Sequence, residues 1–174
     1  MDLSQVSGNQ TPCMLRCSWA LLIQGGLQTP LSQNEVSSLS ANAFYRAMTP
    51  AVDGLPVIGR SARMLGVRIP EDIAPDESGL VGPGTGGISV APVSIWNVPN
   101  HRRPRGMQRG STGPSGDFVY GIAETAILLV RLTIRSDPAQ PQLHAFVEPA
   151  TAMELSEYEA DLESTRMAWM KVWP

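Results

Sequence analysis

Residues 84–90 read Gly-Thr-Gly-Gly-Ile-Ser-Val, a glycine-rich approach followed by a short β-branched run. Three glycines within four positions allow positive φ angles and let the backbone come close to a ligand. Side chains alternate along a strand, so Ile88 and Val90 should face a core while Ser89 faces the other way. The stretch predicts either a pocket lined by Ser89 or an ordinary turn that leads into an ordinary strand.

The composition favours one loop-rich domain. The chain has 174 residues, with 15 prolines and 16 glycines, which favours short strands with irregular connections over a helical bundle. A net charge of −3 predicts no general affinity for nucleic acid or membrane. No apolar run reaches the length of a membrane helix, and no cationic start precedes the short apolar run at 19–23. We therefore expect any export to use a route that does not require a signal peptide.

The first 40 residues differ from the rest. Residues 1–40 are rich in Ser, Gln, Asn and Thr, so we expect a partly disordered extension before a domain spanning 41–174. The only cysteines, Cys13 and Cys17, make neither a disulfide framework nor a zinc ligand set. They are interpreted as free thiols, and the sequence predicts no metal site.

Three elements follow from local pattern. Residues 43–49 predict the first strand, which ends before Pro50. A short helix is predicted near 60–65, and the long apolar run 126–134 predicts a central strand. Arg46 lies within the first strand, where it either needs an anionic partner or a phosphate, or points to water at an edge.

Residues 155–172 predict the longest helix. Ser156 and Glu159 have the spacing of a capping box. The predicted packing face, at helical spacing, consists of Tyr158, Leu162, Thr165, Trp169 and Val172. The acidic residues in its first half are interpreted as a solvated face that matches the helix dipole.

The connection 91–117 carries four arginines in eight positions, namely Arg102, Arg103, Arg105 and Arg109. Such a patch suits a dinucleotide, a nucleic acid or an acidic partner, and it is also typical of a solvated loop. No aromatic residue is interleaved with the arginines, which makes binding of single-stranded nucleic acid the weaker interpretation.

Residues 143–148 predict a strand with two unlike faces. Period two places His144, Phe146 and Glu148 on one face and plain apolar residues on the other. One face therefore carries a titratable base and a carboxylate around an aromatic ring. These side chains are either structural or part of a site.

Three separated pieces occur in a characteristic order: Tyr-Arg-Ala at 45–47, Pro-Gly-Thr-Gly-Gly-Ile-Ser-Val at 83–90, and Leu-His-Ala-Phe-Val-Glu-Pro-Ala at 143–150. Their order, with a helix after the His-bearing strand, resembles the ADP-ribosyltransferase-like cytotoxins delivered by bacterial type VI secretion. The resemblance covers roughly residues 43–172. It implies an α+β fold of two small packed antiparallel sheets with flanking helices and an NAD cleft between the sheets.

The resemblance also implies site roles. Arg46, with Tyr45, would grip the dinucleotide, and Ser89 would shape the nicotinamide-ribose pocket. The neighbours of Ser89 in that pocket would be Thr85, Gly86 and Gly87. His144 or Glu148 would orient the ribose and stabilise the cation formed as nicotinamide leaves. The toxin family has the histidine but lacks a glutamate at the place of Glu148, so both assignments stay open.

The expected function is an NAD-dependent toxin that transfers ADP-ribose to a macromolecular target or hydrolyses NAD. NAD would be its substrate, and an immunity protein would neutralise it in the cytoplasm of the producing cell before it acts in the cytoplasm of a target cell. Two alternatives are an enzyme that uses NAD to remove a phosphate from RNA and a non-catalytic binding module on the same fold. A single lysine, Lys171, weakens the RNA interpretation.

Overall fold

The computed structural model describes residues 42–173. The predictions for residues 1–40, including both cysteines, lie outside this part of the chain. The elements in order are β1 (Ala43–Met48), β2 (Leu80–Val81), β3 (Ile88–Pro92), β4 (Phe118–Ala123), α1 (Glu124–Leu128), β5 (Leu132–Ser136), β6 (Ala145–Pro149), β7 (Met153–Glu154), α2 (Leu155–Ser164) and β8 (Met170–Trp173). Short 3₁₀ turns lie at Ile95–Asn97 and Arg166–Ala168.

The main sheet has six antiparallel strands in the order β5-β6-β3-β1-β4-β8. A separate two-stranded ladder joins β2 and β7. The mixed α/β class with antiparallel pairing is therefore confirmed. The strands do not divide into two small sheets, because β3 hydrogen-bonds to neighbours on both sides and joins the two halves into one series.

Strand β3 divides its pairing along its length. Its first part, from Ile88 to Val90, pairs with β6, whereas its last two residues pair with Phe44 and Tyr45 of β1. After Tyr45 the ladder between β1 and β3 stops, so Arg46 and the residues that follow it have no ladder partner on that side. An opening forms in the sheet beside Arg46.

Strand β1 is the centre of the fold, and all six of its residues are buried. On one face, Phe44 and Met48 belong to the larger core, together with Tyr158 and Leu162 of α2. On the other face, Tyr45 and Ala47 belong to a smaller core that the loop residues Val98 and Met107 complete. The connection 91–117 therefore covers one face of the sheet.

Two local predictions are wrong. The run 126–134 forms the end of α1 and the start of the edge strand β5, with Leu129 85% exposed between them. A short apolar run does not distinguish a strand from a helix by periodicity, and here Ile127 alone of that helix is buried. Residues 60–65 form turns in place of the predicted helix.

The predicted helix 155–172 is correct only in its first part. Helix α2 ends at Ser164, where the Thr165 hydroxyl donates to the carbonyl of Leu162. Its capping box uses Glu154 and Glu157, two residues earlier than predicted. Buried members of the predicted face are Tyr158, Leu162, Thr165 and Trp169, whereas Val172 lies half-buried in β8.

Candidate functional site

A cleft of about 250 Å³ lies where β1 and β3 separate. Both strands contribute to it because each presents its backbone edge at the end of the shared ladder. The predicted site residues that line it are Tyr45, Arg46, Ser89 and His144, and the loop residues Arg68, Asp72, His101 and Arg102 join them. Ile88 and Val90 belong to the larger core, as alternation along β3 predicts, and Ser89 between them is half-buried. Val90 nevertheless lines the cleft together with Ser89.

Arg46 closes the inner end of the opening with its guanidinium group. Nη1 donates to the carbonyl of Ser89 at 2.6 Å, and Nη2 donates to the carbonyl of Ala62 at 3.2 Å. These bonds take the place of the missing ladder between β1 and β3. The third guanidinium nitrogen, Nε, is buried and has no hydrogen-bond partner within residues 42–173. Burial lowers the pKa of Arg46 to about 10, so the side chain is still charged at neutral pH.

The loops give the cleft an excess of positive charge. Arg68 and Asp72 neutralise each other through two hydrogen bonds, of 3.0 and 2.6 Å. Burial acts to raise the pKa of Asp72, but the hydrogen bonds from Arg68 outweigh it and hold the pKa below its usual range. Arg102 reaches the carbonyl of Ala62 at 3.4 Å and forms no ion pair in the described part of the chain. The surplus charges of Arg46 and Arg102 suit an anionic ligand.

His144 enters the cleft from the residue just before β6. Its Nδ1 lies 2.8 Å from Oδ2 of Asp137, and its ring meets the Phe146 ring edge-on at a centroid distance of 4.5 Å. The predicted sharing of one face by His144 and Phe146 is thus seen in their contact. The ring is held from two sides before any ligand binds.

Glu148 shares the strand with His144 but does not line the cleft. Its carboxylate is 2% exposed, accepts from Nε of Arg135 at 2.9 Å and accepts from the amide of Gly84 at 3.2 Å. Arg135 also lies over the Phe146 ring, 4.7 Å from its centroid. The structure therefore gives Glu148 the contacts of an anchor that ties the glycine-rich turn to β5 and β6.

The other predicted members of the nicotinamide pocket also lie outside the cleft lining. The Thr85 hydroxyl closes its own turn by donating to the carbonyl of Gly82 at 2.8 Å. A Cβ at Gly86 would overlap the carbonyl oxygen of Asp72, and one at Gly87 would overlap that of Val147. These two glycines permit close approach of neighbouring backbone, not of a ligand.

The arginines of the connection 91–117 have separate environments. Arg102 lines the cleft, whereas Arg103 holds the loop together through the carbonyls of Val98 and Trp96. Arg105 and Arg109 are exposed. The basic patch predicted from sequence therefore divides into one cleft residue, one structural residue and two surface residues.

Comparison of the chain with known protein families and with curated proteins found no match to either. Within residues 42–173, no group of His, Cys, Asp and Glu side chains is placed to hold a metal ion. No helix in the same range has the length and apolar character needed to cross a bilayer.

Proposed function

We propose that the cleft binds NAD and breaks its nicotinamide–ribose bond, so that the protein is an ADP-ribosyltransferase-like toxin or an NAD hydrolase. The observation that carries this proposal is the buried guanidinium of Arg46, set in an opening of the sheet, whose Nε has no hydrogen-bond partner within residues 42–173. A charged group that is desolvated in a cleft without a carboxylate of its own is costly for folding, and such groups cluster at functional sites.

The cleft chemistry suits a dinucleotide in three respects. Arg46 and Arg102 both donate to the carbonyl of Ala62, so their guanidinium groups converge on one region where a pyrophosphate would be neutralised. Ser89 is half-buried and lines the same cleft, and in this proposal its hydroxyl binds a ribose. Tyr45 is 6% exposed and lines the cleft from the smaller core, and in this proposal it provides the aromatic contact for a base or for nicotinamide.

The opening between β1 and β3 also supports the finer proposal of an ADP-ribosyltransferase-like fold. In this proposal the two halves of the sheet correspond to the two sheets of the cytotoxins, joined here through β3. An immunity protein that neutralises the toxin in the producing cell, and export by type VI secretion into a target cell, complete the proposal.

The test is nicotinamide release from NAD by the purified protein, followed by chromatography. We expect release by the wild type and loss of at least about 100-fold in Arg46→Met. Arg60→Met is the matched control, because Arg60 pairs with Glu159 on the surface away from the cleft. Equal release by Arg46→Met and the wild type would refute the assignment of the cleft. NAD binding without release would favour a binding module.

Induced expression in a bacterial host gives the cellular form of the same test. We expect growth arrest that requires Arg46 and is accompanied by NAD loss if the enzyme is a hydrolase. Arrest with steady NAD would instead favour transfer to a scarce target. Normal growth with soluble protein would count against the toxin.

One observation favours a second candidate, the NAD-dependent removal of a phosphate from RNA. Arg46 and Arg102 line the cleft as surplus cations, beside the mutually neutralised pair of Arg68 and Asp72. A phosphate on RNA would compete for the same charges as the dinucleotide. An end-labelled oligonucleotide with a terminal or 2′-phosphate, incubated with NAD, tests this candidate. Loss of its phosphate that depends on NAD would favour the RNA reaction.

A further inference from the structure

The loop between β5 and β6 pairs an acid with the cleft histidine. Asp137 and His144 lie at its two ends, and their backbones are joined by a hydrogen bond of 3.0 Å from the Asp137 amide to the His144 carbonyl. The Asp137 carboxylate also accepts from the Ala139 amide at 2.9 Å, which fixes its orientation. Both side chains remain partly exposed, at 24% and 29%, so solvent and ligands can reach the pair.

The hydrogen bond between His144 and Asp137 determines which nitrogen of the imidazole ring can act as a base. A carboxylate only accepts hydrogen bonds, so Nδ1 of His144 must carry a proton to bond with Asp137. In the neutral ring, Nε2 is then the acceptor. The hydrogen bond from His144 holds the pKa of Asp137 below its usual range, which is consistent with a persistent interaction. Phe146 limits rotation of the ring from the other side.

The charges around His144 favour an uncharged acceptor over a cationic one. The cleft carries Arg46, Arg68 and Arg102 against one carboxylate, Asp72, which Arg68 already engages. On the strand side, Arg135 lies over Phe146 and is paired with Glu148. His101 contributes a second imidazole to the cleft lining. Asp137, the carboxylate in contact with the ring, is already engaged by His144. A guanidinium or ammonium acceptor would therefore meet the surplus charges of Arg46 and Arg102, whereas a hydroxyl would not.

We propose that Asp137 and His144 form a base unit that activates a hydroxyl acceptor, either water or an alcohol of a macromolecule. His144 is the catalytic residue and Asp137 the positioning residue. This inference rests on the proposed cleavage of NAD and narrows its acceptor to an oxygen nucleophile.

The reaction balances as follows. The acceptor oxygen forms a bond to C1′ of the ribose as the bond from C1′ to the nicotinamide nitrogen breaks. The electron pair of the broken bond stays on the nicotinamide and makes it neutral. The acceptor proton moves to Nε2 of His144, and Asp137 stabilises the resulting imidazolium until solvent removes the proton.

The experiment measures nicotinamide release and product identity with methanol and agmatine as competing acceptors. Methanol probes the hydroxyl class and agmatine the guanidinium class. We expect methyl-ADP-ribose and ADP-ribose as products, and no detectable agmatine adduct. Asp137→Asn should lower kcat about 10- to 100-fold with KM for NAD within twofold, because the base loses its carboxylate while the cleft charges remain. His144→Gln should lower kcat at least as far as Asp137→Asn, because it removes the base itself.

The matched control is Asp76→Asn. Asp76 also accepts backbone amides within its own turn, from Ser78 and Leu80, but it does not line the cleft. It should keep kcat within twofold. If Asp137→Asn releases nicotinamide with an unchanged kcat, or if agmatine is modified in preference to methanol, the proposal that Asp137 and His144 form a base unit is wrong. The proposal that the cleft cleaves NAD would be unaffected by either result. NAD binding with no release by the wild type would overturn both.

Discussion

Replacing Arg46 with methionine should leave the ligand-free protein about as stable as the wild type while removing its response to NAD. Burial holds the pKa of this side chain near 10, which corresponds to about 3 kcal/mol against the charged form in the folded state. Arg46 is charged in both folded and unfolded states at pH 7, so this cost applies in full there. Methionine fills a similar length without a charge.

The substitution also removes favourable interactions. Two hydrogen bonds, to the carbonyls of Ser89 and Ala62, are lost, at about 1 to 1.5 kcal/mol each. The loss and the relief of desolvation nearly cancel, so we expect the free energy of unfolding to change by no more than about 1 kcal/mol. The lowered pKa of Arg46 also makes the stability of the wild type depend on pH. A cation whose pKa is lower in the folded state than in the unfolded state destabilises the fold at every pH below its folded pKa. The free energy of unfolding of the wild type should therefore rise above about pH 10, where Arg46 loses its proton in the folded state.

Urea unfolding at pH 7, with and without NAD, measures both quantities. At a concentration 100 times its Kd, NAD should add about 2.7 kcal/mol to the wild type and nothing to Arg46→Met. Arg63→Met is the control, because it strands the buried carboxylate of Asp117 and should cost about 3 kcal/mol, or about 1.5 M in the urea midpoint. If Arg46→Met lowers the free energy of unfolding by about 3 kcal/mol or more, Arg46 stabilises the fold and its burial does not serve ligand binding.

Three further substitutions test the surroundings of the cleft. Glu148→Gln should lower the free energy of unfolding by about 2 kcal/mol because Arg135 loses its counter-charge, while nicotinamide release per folded molecule stays within twofold. Gly87→Ala should lower the free energy of unfolding by more than about 3 kcal/mol, because the added Cβ overlaps a β6 carbonyl. Gly84→Ala meets open space and should lower it by about 1 to 2 kcal/mol, because of the positive φ alone. Urea midpoints compare the two variants. Tyr158→Phe should cost about 2 kcal/mol at pH 7, as the buried hydroxyl bonds both β6 and β3. Burial raises the pKa of that phenol, so wild-type stability should fall with pH above about 10 as the unfolded phenol ionises, and the variant should show a shallower fall.

The sequence predicts the parts of the site that depend on local alternation. Arg46 within a strand of β-formers, and Ser89 between two buried β-branched residues, could be placed because side chains alternate over two or three positions. The shared face of His144 and Phe146 follows from the same period. These inferences need only the local chain and a strand.

The parts that depend on distant contacts could not be predicted. Glu148 shows the same periodicity as His144, yet Arg135 and the Gly84 amide engage its carboxylate away from the cleft. Arg68 and Asp72 come from a turn-rich connection with no periodic signal, and they join the cleft only through tertiary folding. Asp137 stands before a proline in a turn, where an aspartate is expected to cap the local backbone, as it also does here.

The failed prediction for 126–134 has a related cause. The first five residues of that stretch are continuously apolar, and such a run normally marks a strand that is buried on both faces. In the fold, Leu128 and Leu129 are exposed at a junction, whereas the doubly covered strand is β1, whose residues include an arginine and a tyrosine. Burial of β1 depends on the loop 91–117, whose covering role has no sequence period.

Because β3 pairs with β6 along its first part and with β1 only at its end, the backbone forms the cleft, whereas the side chains that line it determine its chemistry. The opening arises because the backbone ladder between β1 and β3 stops after Tyr45. The backbone therefore forms the opening, and the side chains that line it can change while the opening remains. Ser89 lies in β3, which its ladder with β6 holds in place, and His144 immediately precedes β6, where Asp137 and Phe146 hold its ring. A fold built in this way is evolvable: drift at the lining can exchange one ligand for another without rebuilding the cavity.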